Sequence, residues 1–148
     1  MKCVILAGGR GTRLSELTHE IPKPMVKVNG KPILVHLINH YKKFGIKEFI
    51  IAAGYKKEVI NNFFKKGPIK GCNIKVVNTG INTMTGGRIK RLKSYLFQET
   101  FLMTYGDGLS DIDINKLIRF HKKHKKIGTL TAVRPPARFG AIKISSKK

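Results

Sequence analysis

The sequence predicts an α/β fold: an open, mainly parallel sheet with helices on both faces, of the Rossmann-like type. Short apolar runs typical of buried strands alternate along the chain with longer segments of helical periodicity. Glycine directly follows three of these runs, at Gly8, Gly54 and Gly106, as is common where a parallel strand ends. The 148 residues are enough for one domain with its own core, so we expect a single domain over residues 1–148.

The first half of the chain predicts two strands and two helices. Lys2–Ala7 is a short apolar run, and Glu48–Ala53 (EFIIAA) is a second run of the same kind. Residues 32–44 carry apolar side chains at helical spacing and stop at Gly45, a residue that often ends a helix. Lys57–Lys66 is a helix whose inward face includes two phenylalanines.

The second half continues the alternation. It predicts strands at Asn73–Asn78, 101–105, 129–133 and 141–145, and helices at 87–96 and Ile114–His124. Ligands of such sheets bind beyond the carboxyl ends of the strands. We therefore expect three polar loops, residues 8–14, 79–88 and 106–108, to meet at one edge.

The net charge of +22 raises the question of nucleic-acid binding. Most of this charge is lysine dispersed along the chain, aromatic residues are 8%, and tryptophan is absent. The basic run at residues 121–126 (HKKHKK) follows an apolar helical face and is typical of a solvated helix end. We expect no nucleic-acid partner, although the charge excess helps to attract anionic substrates.

Membrane and secreted classes are also disfavoured. Apolar runs such as residues 4–7 are far too short to span a bilayer, and no secretory cleavage site is visible. The two cysteines, Cys3 and Cys72, lack metal-ligand spacing. We expect reduced, buried thiols in a cytoplasmic protein with no membrane partner.

The loop at residues 8–14 (GGRGTRL) has the composition of a phosphate cradle. Glycines allow the backbone N–H groups to approach a phosphate chain, and Arg10 and Arg13 add two cationic forks. Leu14 occupies the third glycine position of the dinucleotide fingerprint, and a Walker loop is absent. The pattern favours a triphosphate over a dinucleotide.

Lys23 lies between Pro22 and Pro24, which stiffen the backbone on either side. An ammonium group held in this way can neutralise a phosphate in a transition state. Alone, this pattern also fits a surface lysine; beside the glycine loop it indicates a site residue.

Asp107 stands between Gly106 and Gly108 at the end of a predicted strand. A carboxylate in this position is a good magnesium ligand, because the glycines let metal and phosphate approach. An Asp-Gly turn is the structural alternative. We assign Asp107 to the metal, and Asp111 and Asp113 to structural roles such as helix capping.

The loop at residues 79–88 is rich in hydroxyl groups and glycines and leads into a helix. Helix N-termini bind anions readily. Of the three basic residues Arg88, Lys90 and Arg91, we predict that Arg88, nearest the glycines, faces the site. These loops together indicate phosphoryl chemistry carried out by positioning and charge.

The segment LAGGRGTRLSELTHEIPKPM resembles the signature of the sugar nucleotidylyltransferases. The segments NTGINTMTGGRIKR, TYGDGLSDIDI and TAVRPPARFGA resemble one branch of that family, the glucose-1-phosphate cytidylyltransferases. The resemblance implies a nucleotide-diphospho-sugar transferase fold and the conversion of CTP and α-D-glucose 1-phosphate to CDP-glucose and pyrophosphate. It also implies a place in deoxysugar synthesis for surface polysaccharides such as O-antigen.

The resemblance implies roles residue by residue. Arg13, Lys23 and Asp107 would serve catalysis, with Asp107 holding Mg²⁺. The nucleotide and sugar phosphate would be bound by Leu6, Ala7, Gly8, Gly9, Arg10, Gly11, Thr12, Arg13, Lys23, Thr83, Arg88 and Gly106.

Family members continue past the RFGA segment, where the later half supplies a second metal-binding aspartate. We therefore expect an incomplete domain, truncated at the C-terminus, and leave open a second copy or a complementing chain as partner. Three hypotheses follow: a nucleotidylyltransferase, a nucleotide-binding fragment or degraded paralogue without turnover, and, on charge alone, a nucleic-acid-binding protein.

Overall fold

The computed structural model describes residues 1–11, 19–97 and 99–133. Its six strands are β1 (Lys2–Ala7), β2 (Lys27–Val28), β3 (Lys31–Pro32), β4 (Glu48–Ala53), β5 (Asn73–Asn78) and β6 (Leu102–Tyr105). Its five α-helices are α1 (Ile33–Lys43), α2 (Lys57–Lys66), α3 (Thr85–Arg91), α4 (Lys93–Leu96) and α5 (Ile114–His124). The chain forms two compact units, Met1–Ile114 and Asn115–Lys148.

The first unit is built on a four-stranded parallel sheet with the order β5-β4-β1-β6. The register pairs Ala7 with Ala53, Ala53 with Asn78, and Leu6 with Tyr105. Because the strands are parallel and end nearly level, the loops that follow them begin at one edge of the sheet. The prediction of a mainly parallel sheet is confirmed.

Helices cover both faces of this sheet. Along the chain, the strands are added from β1 to β4 and β5 in one direction, and the chain then crosses back to β6. A right-handed crossover therefore places α3 and α4 on the face opposite to the first helices. On that face, Leu92 and Leu96 pack with Val4, Leu6 and Ile50. The two central strands, β1 and β4, are thus buried on both sides, as their apolar composition requires.

The alternate residues of β1, which include Cys3, point to the opposite face of the sheet, where helix α1 lies. Cys3 is fully buried there, and burial raises the pKa of its thiol to about 12. The pKa of Tyr41 is raised mainly by burial and secondarily by the neighbouring Cys3. A hydrogen bond with Thr104 partly offsets this increase. Both cysteines are free, and Cys72 is half-buried.

Most predicted elements have the predicted bounds, with two exceptions among the helices. The helix predicted at residues 32–44 spans Ile33–Lys43, and the one predicted at 87–96 is two helices that meet at Leu92. The predicted strand 101–105 begins one residue later, at Leu102.

The antiparallel hairpin of β2 and β3, which has a two-residue turn, was not predicted. Asn29 and Gly30 have φ values of 48° and 76°, the left-handed pair that Asn-Gly favours in such turns. The Asn-Gly dipeptide is therefore the signal by which the sequence could have revealed it.

The predicted strand at residues 129–133 is wrong. A strand needs a neighbour for its backbone groups, and in the described part of the chain this segment pairs with none. Its apolar side chains are not buried, since Leu130 is 91% and Val133 is 73% exposed. Thr129 instead hydrogen-bonds His121 and His124 of α5 through its hydroxyl group. The strand predicted at 141–145 lies outside the described residues.

None of the helices in the described residues combines the length and the hydropathy that a transmembrane span requires.

Leu92 provides a test of the core between the sheet and the two short helices. Replacing this fully buried side chain, Leu92→Ala, should lower the free energy of unfolding by about 2–5 kcal/mol through a cavity against β1 and β4. The same change at the exposed Leu130 should cost less than about 0.5 kcal/mol. Urea denaturation followed by circular dichroism measures both, and equal effects would contradict the assigned core.

Candidate functional site

A cleft of about 310 Å³ lies at the carboxyl edge of the sheet. It is lined by residues from all three predicted loops and from the segment around Lys23: Leu6, Ala7, Gly8, Gly9, Gly11, Lys23, Pro24, Thr83, Met84, Thr85, Arg88, Tyr105 and Asp107. The place is the one expected for ligands of an open parallel sheet, next to the point where the strand order reverses.

The guanidinium group of Arg88 lies beneath this cleft and joins three strand ends. Its Nη2 donates to the carbonyl of Gly8 after β1, at 2.9 Å. Its Nη1 donates to Thr79 Oγ1 and to the carbonyl of Gly80 after β5, both at 2.7 Å. Thr79 in turn donates to the carbonyl of Ala53, the last residue of β4, at 2.8 Å. Because a guanidinium group has only donors, Arg88 can satisfy carbonyls that lie just beyond the hydrogen bonds between the strands.

Arg88 is almost completely buried, with 6% of its surface exposed. The pKa of Arg88 is lowered from its ordinary value mainly by burial and secondarily by the positive charge of the nearby Arg91. An arginine nevertheless keeps its proton in a protein. A fixed positive charge thus lies directly under the glycine loop.

Two glycines make room for this guanidinium group. A Cβ on Gly8 would lie 2.0 Å from Arg88 Nη1, and a Cβ on Gly54 would lie 2.7 Å from the same atom. By contrast, a Cβ on Gly9 would meet nothing within 4 Å. Gly8 and Gly54 are therefore required by packing, whereas Gly9 faces open space.

Lys23 and Asp107 face each other at the other side of the cleft. Lys23 begins a 3-10 turn (Lys23–Met25), and its Nζ lies 2.5 Å from Asp107 Oδ2. The two loops are held close because Pro24 lies against Gly106, where a Cβ would come within 2.9 Å of Pro24 Cγ. The amide of Gly106 donates to the carbonyl of Leu6 at 2.9 Å and fixes the same loop to β1.

The donor set around Asp107 fits a magnesium ion that is shared with a phosphate. Among the described residues, no group of three or more His, Cys, Asp or Glu side chains is suited to a metal. Mg²⁺ is commonly held by one or two carboxylates together with substrate phosphates and water. Asp107, flanked by glycines and only partly exposed, offers one such carboxylate.

Thr83 lines the cleft from the loop after β5. Its Oγ1 accepts a hydrogen bond from Arg91 Nη1 at 2.8 Å, and Arg91 Nη1 also donates to the carbonyl of Thr79 at 2.6 Å. The next residue, Met84, is 82% exposed, and helix α3 begins at Thr85.

The structure brings together nine predicted site residues as lining of the cleft: Leu6, Ala7, Gly8, Gly9, Gly11, Lys23, Thr83, Arg88 and Asp107. Arg10 is exposed and does not line it, and Gly106 is buried beneath it. Thr12 and Arg13 lie outside the described residues. Sequence reasoning missed Pro24, Met84, Thr85 and Tyr105 as lining, although each adjoins a predicted motif.

The sequence profile of the nucleotidyl transferase family matches residues 2–148. The chain belongs to this family. It is 47% identical to the glucose-1-phosphate cytidylyltransferase of Salmonella typhi over 99% of its own length, and it spans 65% of that protein. It is 42% identical to the D-glycero-alpha-D-manno-heptose 1-phosphate guanylyltransferase of Campylobacter jejuni, over 79% of this chain and 52% of the relative.

A solved relative supports the same assignment of fold. The crystal structure of HddC from Yersinia pseudotuberculosis complexed with GMP-PN is 33% identical and superimposes with a TM-score of 0.70. The match covers 81% of this chain and 53% of HddC. This chain therefore shares its fold with a family member of known structure.

The different surroundings of Gly8 and Gly9 give a matched test of the Arg88 contacts. Gly8→Ala should displace the Arg88 guanidinium group and lower the free energy of unfolding by about 2 kcal/mol or more, because this buried cation and its acceptors lose hydrogen bonds. Gly9→Ala should change stability by less than about 0.5 kcal/mol. Thermal denaturation compares the two variants, and equal losses would mean that Arg88 does not depend on Gly8.

Proposed function

We propose that this chain carries the nucleotide site of a sugar-1-phosphate nucleotidylyltransferase, which joins CTP and α-D-glucose 1-phosphate to give CDP-glucose and pyrophosphate. An oxygen of the sugar phosphate forms a bond to the α-phosphorus of CTP. The bond from that phosphorus to the bridging oxygen breaks, and pyrophosphate leaves. Such chemistry depends on positioning and on charge stabilisation.

The observation that supports this proposal best is the pairing of Lys23 with Asp107 beside a glycine loop. An ammonium group and a carboxylate 2.5 Å apart neutralise each other. Phosphate oxygens compete for the lysine, and a divalent cation competes for the aspartate. The pair therefore holds both groups in place for a substrate that carries phosphates with a metal.

Each side chain then has a defined task. Lys23, stiffened by its prolines, places positive charge at the phosphates, where charge increases in the transition state. Gly9 and Gly11 leave room for the phosphate chain to approach the backbone. Arg88 maintains the shape of the loop from below and adds its fixed charge.

Asp107 would hold Mg²⁺ as one ligand, with phosphates and water supplying the others. When bound, the ion would neutralise charge on the transferring phosphates. Arg13 is proposed as a further cation at the phosphates, and Arg10 and Thr12 as nucleotide contacts, on the strength of the loop sequence alone.

The choice of cytosine and glucose rests on relatives. The relative at 47% identity is named a cytidylyltransferase for glucose 1-phosphate, and the one at 42% a guanylyltransferase for a heptose 1-phosphate. We favour the first pair because its match extends over nearly the whole chain. The same proposal includes a cytoplasmic location, with which the two free cysteines agree, and a role in polysaccharide synthesis such as that of O-antigen.

Pyrophosphate release tests the proposal directly. The protein should release pyrophosphate from CTP only when glucose 1-phosphate and Mg²⁺ are present. Lys23→Met and Asp107→Asn should each lower kcat/KM about 100-fold or more, because each removes charge stabilisation at the phosphates. Coupled colorimetric detection of phosphate after pyrophosphatase treatment provides the measurement.

Lys27→Met is the matched control, since it removes one exposed lysine of β2 near in sequence and should leave the rate within about twofold. Failure to release pyrophosphate at saturating protein and CTP would contradict the enzymatic proposal. Stabilisation by CTP in a thermal-shift assay without turnover would instead support a nucleotide-binding protein.

A further inference from the structure

We infer that Arg91 is a positioning residue that turns the hydroxyl group of Thr83 into a hydrogen-bond donor aimed at the base of the bound nucleotide. The inference rests on the proposed function for the identity of the ligand. Its physical basis is the set of contacts around Thr83 in the loop after β5.

The Thr83 side chain is fixed on several sides. Arg91 Nη1 lies 2.8 Å from Oγ1. The loop fits around this oxygen only because residue 80 is glycine, since a Cβ there would be 2.7 Å from Oγ1 and 2.4 Å from Arg91 Nη1. The methyl group of Thr83 lies against Gly87, where a Cβ would approach it to 2.9 Å. The oxygen therefore has a defined position and does not rotate freely.

Arg91 also limits what that oxygen presents to a ligand. A guanidinium group can only donate, so it occupies one of the two acceptor lone pairs of the hydroxyl group. The hydroxyl hydrogen is thereby left to donate to another acceptor. Thr83 lines the cleft, so a ligand acceptor there completes the hydrogen bonding. Arg91 thus favours donation by the hydroxyl group, because it uses one of the two lone pairs and leaves the single hydrogen for the ligand.

The sheet order indicates which part of the nucleotide this donor meets. Asp107 follows β6 and Thr83 follows β5, and these strands are at opposite edges of the four-stranded sheet. Three strand spacings separate them by roughly 14 Å. If the phosphates lie between Lys23 and Asp107, the base lies toward Thr83 and the exposed, apolar Met84. Carbonyl oxygens and unprotonated ring nitrogens of a base are suitable acceptors.

Isothermal titration of CTP and of inorganic tripolyphosphate, which lacks a base, tests the inference. Arg91→Met and Thr83→Val should each weaken CTP binding about fivefold to tenfold, the effect of one hydrogen bond. The double variant should bind CTP no more weakly than Thr83→Val alone, since both changes remove the same donor. Tripolyphosphate binding should change only as much as in the charge-matched control Lys90→Met, which removes an exposed cation from the same helix.

Conservative changes separate positioning from folding. Thr83→Ser keeps the hydroxyl group and should bind CTP within about threefold of the parent. Thr83→Val keeps the shape of the side chain and serves if Arg91→Met proves unstable by thermal denaturation. Effects of Arg91→Met and Thr83→Val that multiply, or equal losses for CTP and tripolyphosphate in Arg91→Met, would overturn the inference while leaving the proposed function intact. A parent protein that binds no CTP would overturn both.

Discussion

The buried backbone carbonyls at the carboxyl ends of β1, β4 and β5 have lone pairs that need a donor in addition to the backbone N–H groups. One side chain, Arg88, meets this requirement through direct bonds to Gly8 and Gly80 and through the Thr79 hydroxyl group. Leaving such groups buried and unpaired is costly, so the guanidinium group and the strand ends stabilise each other. The shape of the cleft depends on this arrangement, because the first residue of the glycine loop, Gly8, is one of the partners.

The same contacts explain why charge at the site is compatible with a stable fold. Arg88 is held by neutral carbonyls, while Lys23 is neutralised by Asp107 across the cleft. A buried positive charge whose donors are hydrogen-bonded is therefore present below the loop, and an ion pair lies at the other side of the cleft. Under the proposed function, an anionic ligand with a divalent cation would replace the Lys23–Asp107 contact group by group.

Local patterns allowed much of this to be predicted. The bounds of β1 and α2 follow from periodicity, and the position of Asp107 follows from its flanking glycines. Contacts between distant residues could not be predicted in this way. Arg88 was predicted to face the site and lines the cleft, but its hydrogen bonds to the protein were not predicted, since Gly8 lies 80 residues away in sequence. Gly8 was interpreted as a phosphate contact, and the structure adds a second requirement, because its lack of a side chain makes room for Arg88. The prediction of a strand at residues 129–133 was wrong, because an alternating apolar pattern does not show whether a neighbouring strand is available for pairing.

Two arginines one helical turn apart on α3, Arg88 and Arg91, both donate hydrogen bonds to the loop after β5. Arg88 reaches the ends of β1 and β4, whereas the hydrogen bonds that Arg91 makes within the described residues run to that loop, at Thr79 and Thr83. The side of the cleft near the glycine loop therefore depends on contacts across the sheet, and the side near Thr83 depends on contacts within one segment. If the base lies beside Thr83, as we infer, substitutions in that segment would alter base selection without disturbing Lys23, Asp107 or the glycine loop.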